Sequence, residues 1–352
     1  MPHGNYPDNQ LAPPFRENRN RHLSLHDVCA LEAAEREQSL VHLGQWLLAQ
    51  HYQFVAITPA SHARVAGRTL PAEARNLRDI FGWSRAFSSS LLPEKVRAWM
   101  RTAGVLASAR QPGLLVSRVR FASLDGRLYV HSAWPTVDRD AVFFGPDTYR
   151  FASFVRSHLP AVTRENLSIV DVGCGSGAVG LMAAQRLAHK RPKLHLLDIN
   201  PAALEYARVN ARLAGQAQAD IRASDLLRDL DGHPDLIICN PPYLPDAAHR
   251  VYRDGGGTLG SGLSVRLVRE ALEVLAPGGL LLLYTGTAVI GGRHVFADEV
   301  LPLLNAAEVR HPLSYTYREL DPDVFGEELE EPAYGEVERI AVVGLAVQLS
   351  ST

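Results

Sequence analysis

Cysteine is scarce in this chain: Cys29, Cys174 and Cys239 are three among 352 residues, and no two stand at CxxC spacing. An odd, dispersed set excludes a disulfide framework and a zinc ribbon and favours a reducing compartment. Lysine is equally rare, with only Lys95, Lys190 and Lys193 among 36 basic side chains, a bias we read as genome composition. Long apolar runs are missing. The longest, around residues 280–284, is far too short to span a bilayer. The opening residues, MPHGNYPDNQ, lack the apolar core of a signal peptide. None of the fourteen histidines stands in an HExxH or comparable spacing, so no metal site is expected. A dominant charge is also absent: the net charge is −2, which selects no polyanionic partner. These absences lead to the expectation of a soluble cytoplasmic protein with no membrane segment.

The residues that are present divide the chain into three. Residues 1–22 are polar and proline-rich and read as a flexible tail. Residues 23–135 read as an accessory domain. Leu40, Leu43, Leu47 and Leu48 fall at helical spacing, with Gly44 weakening that pattern. A second helix is expected over 94–102, with Val96, Trp99 and Met100 in the core and Gly104 as its stop. Residues 114–121 and 127–131 then read as two strands joined by the Asp125-Gly126 turn. Helices followed by a hairpin predict a small helical or winged-helix-like unit. Residues 1–110 hold thirteen basic and nine acidic side chains, a mild excess that is weak evidence for an acidic partner and fits an ordinary solvated surface better.

Residues 136–352 have a different texture. From Leu167, short apolar runs at 169–172, 194–199, 221–224, 236–239 and 280–284 alternate with helical patterns, and 312–320 with 339–349 read as a closing pair of strands. That alternation predicts a doubly wound α/β fold, a mostly parallel sheet covered by helices on both faces.

The first motif is Asp171-Val172-Gly173-Cys174-Gly175-Ser176-Gly177, placed after a strand and opening a helix. Glycines there let the backbone approach a ligand closely, but such turns serve several adenosine-containing cofactors. Asp198, ending the next strand, suits the two hydroxyls of a ribose, with Ile199 beside it. The fourth strand runs into Asn240-Pro241-Pro242-Tyr243. Two prolines remove two donors, which leaves the Asn240 side-chain carbonyl and the Pro241 carbonyl as acceptors able to grip both hydrogens of an NH₂ group. Tyr243 offers a flat face to a planar substrate. The set suits a delocalised nitrogen awaiting an electrophilic methyl.

The pattern DVGCGSG, Asp198, Ser224-Asp225 and NPPY resembles the class I S-adenosylmethionine-dependent methyltransferases over residues 140–305, in their NPPY branch. Within it the likeness is to the HemK/PrmC-type protein glutamine methyltransferases. The resemblance implies a seven-stranded methyltransferase sheet and S-adenosyl-L-methionine as cofactor. Asp171, Gly173, Gly175 and Gly177 would hold its methionine part and Asp198 and Ile199 its ribose. Ser224, Asp225 and Leu226 would hold its adenine, and Asn240, Pro241 and Tyr243 would serve the acceptor. The family's PRPETE loop reads here as Phe143-Phe144-Gly145-Pro146-Asp147-Thr148-Tyr149, with Gly145 replacing the arginine and Tyr149 the last glutamate. The acceptor is left open between a protein glutamine, an exocyclic amine of a nucleic-acid base and a small molecule. Two segments are flagged beside the site: 254–262 as a substrate lid or linker, and 319–331, with seven acidic residues, as a solvated loop. Cys174 and Cys239 are expected to be small buried side chains with no redox role.

Overall fold

The structure, a computed structural model, describes residues 25–68, 73–159, 162–245, 253–309 and 312–351. The expected tail at 1–22 lies outside the described residues. Among these, the N-terminal region runs α1 (Leu25–Ala49), α2 (Pro59–Ala66), α3 (Leu77–Phe81), β1 (Phe87–Ser88), α4 (Glu94–Thr102), β2 (Leu106–Ser108), β3 (Leu114–Ser117), β4 (Val119–Leu124) and β5 (Arg127–Ser132). The remainder runs α5 (Pro146–His158), β6 (Ser168–Val172), α6 (Ala178–Arg186), β7 (Lys193–Asp198), α7 (Pro201–Leu213), β8 (Asp220–Ala223), β9 (Leu236–Cys239), α8 (Gly262–Val274), β10 (Leu280–Ile290), β11 (Arg293–His294), α9 (Val295–Glu308), β12 (Leu313–Asp321) and β13 (Arg339–Leu349).

In the N-terminal region Leu40, Leu43 and Leu47 of α1 are buried with Val96 and Met100 of α4. Leu48 departs from the expected stripe and is 40% exposed, because it sits a further 100° around the helix from Leu47. Gly44 has a positional reason: a Cβ there would lie 2.6 Å from a terminal methyl of Leu213, so glycine lets α1 approach α7 without displacing that side chain. The single strand expected at 114–121 is in fact two. Ser117 causes the break: its hydroxyl donates to the Val119 carbonyl (2.8 Å) and accepts from the Val119 N–H (3.2 Å). β3 then joins an antiparallel sheet of order β1-β3-β2, while β4 and β5 form a separate hairpin. Asp125 and Gly126, both at positive φ, turn that hairpin as expected.

The large sheet has the order β12-β13-β10-β9-β6-β7-β8. β8, β7, β6, β9 and β10 are parallel, and β13 runs antiparallel to both β10 and β12. Seven strands on this path match the expected sheet; the two-residue β11, paired to β10, was not foreseen. Side chains alternate across the sheet. Ile169, Leu196, Ile238 and Leu282 face the layer of α5, α6 and α7. Val170, Leu197, Ile237 and Leu281 face α8 and α9. The chain leaves β6 toward β7 on one side and returns as β9 on the other. The carboxyl end of β6 is therefore the switch point at which such sheets bind ligands.

The two regions share an interface core. Val209 of α7 is buried among N-terminal residues. Asn210, fully buried, accepts from the Val130 N–H (2.8 Å) and donates to the carbonyls of Val130 (3.1 Å) and Ser176 (2.8 Å). One amide thus ties the hairpin, α7 and the glycine-rich turn together.

Candidate active site

The turn after β6 is built on backbone conformations that only glycine adopts cheaply. Gly173, Gly175 and Gly177 have φ of 62°, 54° and 73°, and Gly177 in the left-handed region caps α6. Gly180, one turn into α6, is a further requirement that motif spacing did not reveal. A Cβ there would meet Leu196 at 2.7 Å and Asp171 at 2.8 Å. That proximity lets the Gly180 N–H donate to an Asp171 carboxylate oxygen (2.9 Å). Asp171 is buried, and loss of water pushes its pKa up to about 7, opposed by the Gly180 bond and reinforced by the Asp198 charge.

Asp198 holds the turn from the next strand. One of its oxygens accepts from the Gly175 N–H (2.8 Å) and the other from the Asn200 N–H (2.9 Å). Burial pushes its pKa up, while the backbone donors pull the other way. Asp198 lines the cleft, and a carboxylate has acceptor capacity beyond these two bonds. Ile199, 59% exposed, presents an apolar face beside it. Beyond β8, the Ser224 hydroxyl is consumed locally: it donates to the Leu226 carbonyl (2.8 Å) and accepts from the Asp229 N–H (3.3 Å). This turn puts Leu226 at φ 55° and leaves Asp225 half-exposed, paired with Arg266 (2.8 Å). Asp171, Gly173, Gly175, Asp198, Ile199, Ser224, Asp225, Leu226, Asn240 and Pro241 all line one cleft. Gly177 does not line it and acts on α6 instead. No lysine, arginine or histidine lines the cleft among the described residues, whereas three carboxylates do. Such a surface fits a cationic ligand better than a polyphosphate.

Asn240 and Pro241, with Pro242 and Phe143, also line a second, adjoining cavity. Asn240 Oδ1 is buried and has no hydrogen-bond partner among the described residues. Among the unmatched buried atoms of the described residues, Asn240 Oδ1 is the acceptor that belongs to a residue lining both cavities, where a ligand's donor can complete the bond. The walls of this cavity are largely flat or apolar: Trp134, Pro135, Phe143, Pro242, Tyr243 and Phe325. Its polar groups are few, chiefly Asn240, Asp147 and Arg253.

Tyr243 is 7% exposed, and its hydroxyl donates to Asp147. Its ring also packs on Gly286, where a Cβ would lie 2.2 Å from a ring carbon. Asp147 accepts in addition from Tyr284 (3.1 Å) and Arg150 (3.3 Å). Burial raises the Asp147 pKa and these donors partly offset it. Asp147 came to notice only as part of the PRPETE-like loop. Its place in the second cavity, like those of Trp134 and Phe325, depends on distant segments converging, and no local pattern announces it. Thr148 lines the first cleft and Tyr149 turns away, its hydroxyl accepting from the Ala56 N–H (3.0 Å).

The flanking segments differ from simple loops. Gly255 and Gly260 press against the backbone of Pro242 and Tyr243 with no room for a Cβ, so 254–262 is packed onto the NPPY segment. The acidic stretch 319–331 is not a solvated loop throughout. Glu319 is bound by Arg339 and His294, Asp321 by Arg150, and the buried Glu328 by Arg253, each an acid with a cation in reach. Burial pushes the thiols of Cys174 and Cys239 well up, in keeping with packing roles. Among the described residues no helix is long and apolar enough to cross a membrane.

Residues 142–289 match the methyltransferase small domain family. The chain is 46% identical over 86 residues to a release factor glutamine methyltransferase of Mycolicibacterium smegmatis, covering 23% of this chain and 28% of that one. It is 33% identical over 177 residues to the release factor glutamine methyltransferase of Deinococcus radiodurans, covering 47% and 62%. It is 29% identical over 201 residues to the ribosomal RNA large subunit methyltransferase G of Alcanivorax borkumensis, covering 56% and 45%. The chain therefore spans less than two thirds of each of these relatives.

Proposed function

We propose, from the premise that residues 142–289 are a class I S-adenosylmethionine-dependent methyltransferase domain, that this protein methylates the nitrogen of a planar amide or aromatic amine. The observation that carries the proposal is the buried, unmatched Asn240 Oδ1 at the junction of two cavities. The first cleft takes the cofactor: its glycine backbone admits close approach, its carboxylates complement a cation, and Asp198 accepts from the ribose. S-adenosylmethionine supplies there an electrophilic methyl group. The second cavity takes the acceptor, with Tyr243 and Phe143 as flat walls.

An amide or aromatic amine is a weak nucleophile because its lone pair is delocalised. Its two N–H groups donate to Asn240 Oδ1 and to the Pro241 carbonyl. That grip holds the nitrogen pyramidal and directs its lone pair through the junction toward the first cleft. The acceptor oxygens hold more strongly as positive charge builds on nitrogen, so their effect falls mainly on the transition state. The relatives named for release-factor glutamine support a protein glutamine side chain as acceptor. A second reading, the exocyclic amine of an RNA base, is supported by the ribosomal RNA relative, whose match covers more of this chain.

The test is Asn240→Ala. Removing one preorganised group of this kind typically costs about 10²–10³ in turnover. The variant is expected to bind S-adenosylhomocysteine within a factor of a few of the wild type and to be nearly inactive. Wild-type turnover with the identified acceptor would remove the nitrogen-specific part of the assignment.

A further inference from the structure

Charge is segregated along this chain. Residues 57–118 hold ten basic and three acidic side chains, a net +7, whereas the whole chain is −2 and everything else therefore −9. The three acids do not neutralise the ten. Glu94 pairs with Arg97 and Arg101, and Asp79 with Arg85. Arg64, Arg68, Arg75, Arg110 and Arg118 are exposed, and their guanidinium groups make no ion pair with an acid among the described residues; the Arg75 backbone N–H donates to Asp79 (2.9 Å). Two other cations lie on aromatic rings: Arg78 is 5.9 Å from the centre of Phe54, and Lys95 is 5.3 Å from that of Trp99.

This basic segment borders the acceptor cavity. Pro59, the first residue of α2, lines the cavity, and Arg64 lies in the last turn of the same helix. His62 of α2 stacks on Trp134, another cavity residue, with ring centres 4.4 Å apart. The Trp134 N–H in turn donates to the Ser84 hydroxyl (3.0 Å). The basic segment therefore borders, through α2, a cavity walled by flat rings with an unmatched acceptor in its lining.

We propose that residues 57–68 and 73–118 form a docking surface for RNA, engaging its phosphate backbone beside the acceptor cavity. The inference rests on the reading of that cavity as the acceptor site. RNA is favoured over an acidic protein face because the five arginines without an ion pair are spread over a segment with few acids, which suits a continuous polyanion. The aromatic cavity walls also match the ring faces of an unpaired base. Counterion release then makes binding steeply salt-dependent.

The experiment is fluorescence anisotropy of a labelled 20-nucleotide single-stranded RNA of mixed sequence with the full chain saturated with S-adenosylhomocysteine. With about five phosphates neutralised, affinity is expected to fall roughly a hundredfold between 50 and 200 mM salt. Replacing Arg64, Arg68 and Arg75 together by Gln should lower the slope of log affinity on log salt by about 2. S-adenosylhomocysteine affinity, measured by calorimetry, should stay unchanged in the triple variant, which shows that it is folded. Absence of binding at 50 mM salt overturns the proposal, as does a slope the triple variant does not move. Displacement of the RNA by polyglutamate of equal charge as readily as by unlabelled RNA also overturns it, and assigns the surface to an acidic protein. Each of these readings is made without turnover. A failure of the methylation reading is thereby kept apart from a failure of the docking surface.

Discussion

Asp198→Ala perturbs two things at once, and the structure allows them to be separated. The carboxylate accepts from the Gly175 N–H at 2.8 Å and from the Asn200 N–H at 2.9 Å, in a side chain only 8% exposed. Alanine leaves both donors without an acceptor. At about 1–3 kcal/mol for each buried donor, the ligand-free protein should lose about 2–6 kcal/mol of stability. The raised pKa of Asp198 shows that its charge is held against a desolvation cost, which pulls the loss toward the lower end. The second effect is on the cofactor. Losing a charge-assisted bond to a ribose hydroxyl should cost about 1.5–3 kcal/mol, or roughly ten- to a hundredfold in affinity. Asp198→Asn keeps one oxygen for one N–H but turns an amide NH₂ toward the other, so it should recover only part of either loss. Thermal unfolding without ligand reads the first effect; calorimetry with S-adenosylhomocysteine, well below the unfolding temperature, reads the second. If Asp198→Ala unfolds early yet binds within twofold of the wild type, Asp198 only moors the glycine turn and the ribose role is refuted.

Other consequences follow from the same contacts. Asp171, with its pKa raised to about 7, is protonated in the fold where the unfolded chain has already ionised. Its penalty therefore develops as pH rises from about 4 to about 7 and is constant above that, amounting to about 4 kcal/mol. Chemical denaturation across that range should show wild type losing stability relative to Asp171→Asn as pH rises; parallel curves would refute the buried acid. The same ionisation should make binding of the cationic S-adenosylmethionine tighten relative to S-adenosylhomocysteine between pH 6 and 8, and Asp171→Asn should abolish that trend. Tyr243→Phe removes a donor from the buried Asp147, leaving it Tyr284 and Arg150, at an expected cost of about 1–3 kcal/mol in stability. Because Asp147 lines only the second cavity, turnover should fall without loss of cofactor affinity; a loss confined to the cofactor would contradict the division between the cavities.

The sequence by itself determined the doubly wound sheet and the first cleft, because both are written in local pattern. Apolar runs alternating with helical periods specify parallel strands, and a glycine turn or a strand-ending Asp198 or Asn240 occupies a position that strand direction alone orients. The stop of α4 and the turn of the β4–β5 hairpin were equally legible, from Gly104 and from Asp125-Gly126. Tertiary structure decided what local pattern cannot carry. Gly44 looks like a flaw in a helix until α7 is seen pressing on it, and Leu48 belongs to the stripe by spacing but not by partner. The break at Ser117 depends on one hydroxyl choosing the backbone two residues on. Most of all, the second cavity draws Pro59, Trp134, Asp147, Tyr243 and Phe325 from five separate segments. Each contact there is made across a sequence distance over which no period or motif extends, so only the packed chain brings those side chains around Asn240.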